Sequence, residues 1–262
     1  SMLKMFYYCS ELNNIDLSNF KTPSLLDISY MFYFCSEIKE LDLSSFDTKR
    51  VTKMIGLFAK CSMLEKIKIS TFVTKNVEDM QIMFSGCNSL STINICSFET
   101  SKVISMRMMF QNCTNLTNIN LFNFNTKNVI DMTSMFYNCE KLTTIDVSSF
   151  ETENVETMKG LFSGCENLKQ ILGLSKFNTR KVKSMMGMFS RCKQLTALNL
   201  SNFNINNVTN ISYFFNQCEK LMSVNISSFV PKNIEVIKVI CNIFKDCAYL
   251  SNSEKIKNFW QI

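Results

Sequence analysis

Twelve cysteines and no histidine bound the chemistry open to these 262 residues. Without imidazole there is no Ser-His-Asp or Cys-His nucleophile, and the commonest general base is missing. Zinc centres use closely spaced ligand pairs, and no Cys-x-x-Cys occurs. A Gly-rich phosphate loop is also absent, so neither a metal nor any other cofactor is expected. The catalytic arrangement left is a pair of carboxylates. Asp16 and Asp42 fall in equivalent positions of neighbouring segments, where one could act as acid and the other as base. Both belong to a long ladder of polar residues, so the expectation is a non-catalytic chain.

The cysteines themselves point to packing. Ten of the twelve close a Phe-x-x-Cys pair. The pairs are Phe6/Cys9, Phe32/Cys35, Phe58/Cys61, Phe84/Cys87, Phe110/Cys113, Phe136/Cys139, Phe162/Cys165, Phe189/Cys192, Phe215/Cys218 and Phe244/Cys247. The first seven cysteines recur every 26 residues, and the later spacings are 27, 26 and 29. A free thiol behaves as a small buried hydrophobe, so a stacked thiol ladder is expected. Parallel, inward-pointing cysteines are poorly aimed for disulfides, and their number leaves the redox compartment open. The exceptions are Cys96 and Cys241. Cys96 falls where a side chain should point to solvent, which makes it the candidate reactive thiol.

Other residues keep the same register. One unit reads Val77, Met80, Met83, Phe84, Cys87, Leu90, Ile93, Ile95 and Phe98, with Thr100 two residues later. The apolar spacing from Val77 to Cys87 fits one face of a short helix. Ile93 and Ile95 then alternate as in a strand, with Asn94 and Cys96 outward. The Leu-x-x-Ile-x-Ile run matches the strand segment of leucine-rich repeats. A unit this small cannot cover its own apolar face, so units must stack. The predicted fold is an α/β repeat. It is a leucine-rich-repeat solenoid of about ten 26-residue units (short strand, turn, short helix) with a parallel sheet on one face. The solenoid is assigned to residues 1–250 and a C-terminal cap to residues 251–262, which hold Trp260.

Two surfaces of such a solenoid could bind a partner. One is the outward strand face, with candidate residues Asp16, Asp42, Lys68, Asn94, Asn120, Phe122, Asp146, Asn199 and Asn225. Gly173 is read into the same column, and Phe122 is its one aromatic. Small polar side chains there could hold a protein or a glycan. The other is a basic ridge of Lys49, Arg50, Lys75, Lys102, Lys127, Arg180, Lys181 and Lys232, in a chain of net charge +6. Such a row could meet an acidic polymer. Glu99, Glu151, Glu153 and Glu156 interrupt it, and no aromatics interleave for base stacking. The acidic polymer is therefore not the favoured partner.

Units such as the stretch from Met135 to Met158 closely resemble the repeat of BspA-like leucine-rich-repeat surface proteins. The Mycoplasma-type surface lipoprotein repeat is the same kind of unit. The carriers are the combined M-F-x-x-C-x-x-L, S-x-F-x-T and N-V-x-x-M patterns, over residues 2–250. Departures occur at Ile205, at Pro231 and after Leu250. The resemblance implies a solenoid at the cell surface or secreted, often tied to adhesion, with no catalytic residues to carry over. Five N-x-Ser/Thr sites, at Asn112, Asn115, Asn207, Asn210 and Asn225, are compatible with that placement. No run approaches the roughly 18 apolar residues that would span a bilayer. Met2, Met5, Phe6 and Cys9 occupy the slots of Met80, Met83, Phe84 and Cys87. The natural protein is therefore expected to extend beyond this chain, with any export signal outside it. The alternatives to an adhesion module are an intracellular interaction scaffold and an enzyme built on acidic strand residues.

Overall fold

The computed structural model describes residues 1–229 and 243–250. Through them the chain winds in stacked coils of leucine-rich-repeat type, and three kinds of hydrogen-bonded contact tie neighbouring coils together. The first is the strand ladder. β1 (Glu40–Asp42) pairs in parallel with β2 (Lys66–Lys68), β3 (Thr144–Asp146) with β4 (Gln170–Leu172), and β5 (Ala197–Asn199) with β6 (Ser223–Asn225). In each strand the middle residue turns inward and its neighbours face solvent. The expected sheet is thus divided into three two-stranded pieces. Residues 92–94 and 118–120 keep the alternation without pairing as strands.

The predicted short helix does not form. No described residue is α-helical, and the one helical element is a single 3-10 turn, Leu174–Lys176. An α-helix would turn each amide back to the carbonyl four residues earlier. Here the amides alternate instead. Those of Met106, Met108, Phe110 and Asn112 donate to Asp131, Thr133, Met135 and Tyr137 of the following coil. Those of Met109, Gln111 and Cys113 close overlapping four-residue turns onto Met106, Met108 and Phe110. This geometry needs left-handed backbone two residues before and two after each Phe, as at Met108 (φ 55°) and Asn112 (φ 57°). A left-handed residue with a side chain costs about 1–2 kcal/mol. Bonds to the neighbouring coil offset that cost, and the same Val, Met, Phe and Cys side chains still reach the core. A line of parallel bridges, Asp27 to Lys53 and onward to Asn210, marks the start of this turn arm.

The core is a set of like-on-like stacks. Phe6, Phe32, Phe58, Phe84, Phe110, Phe136, Phe162, Phe189, Phe215 and Phe244 form one column, with Phe84 and Phe110 5.5 Å apart and 3° from parallel. The repeat cysteines sit beside it as free thiols. From Cys35 onward each donates to the Phe carbonyl of the preceding coil, as Cys113 Sγ does to Phe84 at 3.2 Å. Pro231, Lys232, Cys241 and residues 251–262, the proposed cap, lie outside the described residues.

The third tie is the Thr corner. Thr126 is fully buried. Its Oγ1 accepts the Glu151 amide at 2.8 Å while its hydroxyl donates to the Glu151 carbonyl at 2.8 Å. Thr48, Thr74, Thr152 and Thr179 repeat that reciprocal pair with Val73, Glu99, Asn178 and Asn204. The hydroxyl serves two backbone groups that the strand and turn-arm ladders leave over. Thr126→Val should therefore lower stability by about 1–3 kcal/mol, because it strands a buried amide and carbonyl. Thr126→Ser should recover most of that loss. Equal urea midpoints for Thr126→Val and the parent would show that the corner does not depend on the hydroxyl.

Candidate binding face

The outward column of the strands has a structural duty that residue types alone did not reveal. Asp16, Asp42, Asn94, Asn120, Asp146, Asn199 and Asn225 each accept, through Oδ1, the amide two residues on, at 2.8–3.3 Å. Each is an Asx turn that bends the chain out of its strand. Seven of the nine predicted face residues are thereby fixed in orientation as well as exposed. Lys68 takes no such role. Its ammonium is 2.8 Å from Asp42, beside the parallel pair Lys66–Glu40 at 2.6 Å.

This arrangement undoes the proposed acid–base pair. The Lys68 ammonium, then the hydroxyl and amide of Ser44, hold the Asp42 carboxyl far below its ordinary range. The amide and hydroxyl of Ser18 lower that of Asp16. Both stay ionised at neutral pH, and neither is poised to give up a proton.

Gly173 does not belong to the column. The strand register places Leu172 opposite Asp146. Gly173 is the extra residue of the 27-residue unit, with φ 90°. A Cβ there would lie 2.4 Å from the Ser148 amide nitrogen, so only glycine lets the inserted loop pass this close. The loop carries Lys176 onto the face, where its ammonium donates to the Ser148 carbonyl at 3.0 Å. A cleft of about 410 Å³ opens between Phe122 and Lys176, floored by Asp146, Ser148 and Ser149. Phe122 is 83% exposed, the most exposed large apolar side chain described.

Lys49, Arg50, Lys75, Lys102, Lys127, Arg180 and Lys181 do line one exposed edge, and none takes part in an ion pair among the described residues. They alternate with a ladder of asparagines. Asn76, Asn128, Asn154 and Asn207 donate to the carbonyls of Lys49, Ser101, Lys127 and Arg180. Lys102 and Lys181 are drawn onto Asn76 and Asn154, at 2.8 and 2.6 Å. Lys232 lies outside the described residues.

The first two coils add an aromatic cluster that sequence reasoning missed. Tyr7 stacks on Tyr33 at 5.1 Å and Tyr8 on Phe34 at 4.8 Å, with the Lys4 ammonium 5.0 Å from the Tyr7 ring. Later coils place Ala59, Ser85, Gln111, Ser163, Ser190 and Asn216 in the slot of Tyr7 and Tyr33, where only Tyr137 is again aromatic, so two consecutive tyrosines occur there in the first two coils alone. That contrast was the available signal. Among the described residues, no group of three or more Cys, Asp and Glu side chains is placed to hold a metal ion. No described helix is long and apolar enough to cross a membrane.

The model of one family, described as "Mycoplasma protein of unknown function, DUF285", matches residues 1–94, 33–146, 56–172, 80–199 and 134–259. The chain belongs to this family. Its overlapping matches follow the same repeat that the coils display. No curated protein matches the sequence. Among solved structures, the chain is similar to a leucine-rich-repeat protein of T. pallidum. The identity is 19%, over 68% of this chain and 75% of that one, with a TM-score of 0.48. It is also similar to a leucine-rich-repeat protein of Eubacterium ventriosum, at 22% identity over 90% and 60% of the two chains and a TM-score of 0.48. A leucine-rich cell surface protein of Faecalibacterium prausnitzii is 20% identical over 98% and 77%, with a TM-score of 0.40. Similarity at this level describes a shared repeat and says nothing of a ligand.

The repeat cysteines of this chain have their reactivity set by burial. Burial pushes the thiols of Cys113 and Cys165 up to about 12 and that of Cys247 to about 11. Cys96 is exposed and Cys9 half-buried. The thiolate is the reactive form, so among the described cysteines iodoacetamide at neutral pH should label Cys96 first in the native protein. The buried repeat cysteines should react only after unfolding. Rapid native labelling of Cys113 or Cys139, read by peptide mass mapping, would contradict the ladder.

Proposed function

We propose that this chain is a non-catalytic recognition module of a cell-surface or secreted protein, and that it holds a protein or glycan along the outward face of its strands. The observation that carries this reading is the Asx column. A face whose polar side chains are already locked by backbone hydrogen bonds loses little conformational freedom on binding. Solenoids bind along such extended faces, and Phe122 supplies the aromatic anchor that interfaces favour. The resemblance to BspA-like surface proteins supports placement outside the cell. The ionised state of Asp16 and Asp42 supports a binding role over an acid–base one. The ridge is the weaker surface, because Lys102 and Lys181 are engaged by asparagines and Glu residues interrupt the row.

The test is an array of extracellular matrix proteins and glycans probed with three versions of the chain. Thr92, Asn118 and Thr144 are exposed on the face and cap no turn. Replacing all three by Arg should abolish the array signals of the parent. Replacing Lys75, Lys102 and Lys127 by Glu should leave those signals in place. Both variants should unfold within about 0.5 kcal/mol of the parent, as exposed substitutions do. Signals lost only in the Glu variant would move the site to the ridge and overturn the reading.

A further inference from the structure

The residue two places before the corner Phe is Ser in seven of nine coils: Ser18, Ser44, Ser70, Ser148, Ser175, Ser201 and Ser227. The two departures are adjacent, Cys96 and Phe122. The Cys96 thiol accepts the Asn120 side-chain amide of the next coil at 3.4 Å, whereas the Phe122 ring has no such role. Cys96 is exposed and Phe122 is 83% exposed, yet the amides of both are capped as those of Ser18, Ser44, Ser148, Ser201 and Ser227 are. A phenyl ring left in water where serine suffices brings the fold no burial. Two coils further on comes the one single-residue insertion among the described coils, and it delivers Lys176 to the other side of the same cleft. An unneeded aromatic, an inserted loop and the cleft between them coincide at mid-array.

The polar groups of the cleft narrow the ligand. Asp146 presents an ionised carboxylate, held below its ordinary range by the hydroxyl and amide of Ser148. Lys176 has one of its three ammonium hydrogens on the Ser148 carbonyl, leaving two to donate. A cationic ligand drawn to Asp146 would be opposed by Lys176, and an anionic one drawn to Lys176 would be opposed by Asp146. A neutral ring with hydroxyls on its edge satisfies both groups, donating to the carboxylate and accepting from the ammonium. Its C–H face can lie on the phenyl ring. From this combination we infer that the Phe122–Lys176 cleft is a subsite for a neutral pyranose of a glycan. The inference rests on the proposed binding role of this face and specifies its ligand.

The experiment is saturation-transfer NMR with a panel of methyl glycosides: glucose, galactose, mannose, N-acetylglucosamine and N-acetylgalactosamine, with sialic acid as the charged control. At least one neutral glycoside should receive saturation on its ring protons. Phe122→Ser restores the residue of the other coils and should keep the parent's unfolding midpoint while weakening that sugar about tenfold or more. Asp146→Asn keeps the Asx turn, as Asn120 does, and should weaken it as well. No signal from any neutral glycoside, a signal indifferent to Phe122→Ser, or binding of sialic acid alone would overturn the inference. A protein ligand lost in the Thr92, Asn118 and Thr144 variant would in those cases leave the broader binding role standing. Loss of all array binding by the parent would remove that role too.

Discussion

Alternate amides along the turn arm donate to the coil that follows, and the amides between them close turns within their own coil. This division of the backbone hydrogen bonds is the constraint on which the remaining structure depends. It holds neighbouring coils in fixed register, so residues in equivalent slots must lie on top of one another. The Phe column, the thiols donating to Phe carbonyls and the reciprocal Thr corners all follow from that register. It also explains why residues as unsuited to left-handed backbone as Ile82 (φ 48°) are tolerated there. The surrounding coils determine the conformation, and the local preference of one residue is overridden.

Much of this was legible in the sequence, because a strict period places equivalent residues in equivalent surroundings. Inward Phe110, Cys113 and Ile95 and outward Cys96 were readable from their slots, while the recurrence of Thr126 was readable but its burial was not. The turn arm was misread. The spacing of Val77, Met80, Met83, Phe84 and Cys87 fits one face of a helix, and it fits a chain of overlapping turns equally well. The information that separates them was present: five of the six glycines, Gly56, Gly86, Gly160, Gly164 and Gly187, fall two residues before or after a column Phe. Two glycine-favouring slots per unit rule out a continuous helix.

The binding face was legible in position but not in cause. Asp and Asn at the strand ends looked like a surface waiting for a ligand, whereas their first role is to turn the chain. The informative residues on a repeat protein's face are those the repeat does not require. Ser148 is what the coil needs in that slot, and Phe122 is not. Lys176 escaped notice because the slot just before the corner Phe holds Asn, Ser or Thr in the other coils and was not read as part of the face.

The most direct test of the backbone arrangement is scalar coupling across hydrogen bonds, measured by NMR on the isotopically labelled chain. The amide nitrogen of Phe110 should couple to the carbonyl carbon of Met135 in the next coil, while that of Cys113 couples to Phe110. A coupling from Phe110 back to Met106, as in a helix, would contradict the stacked-turn architecture and everything derived from it.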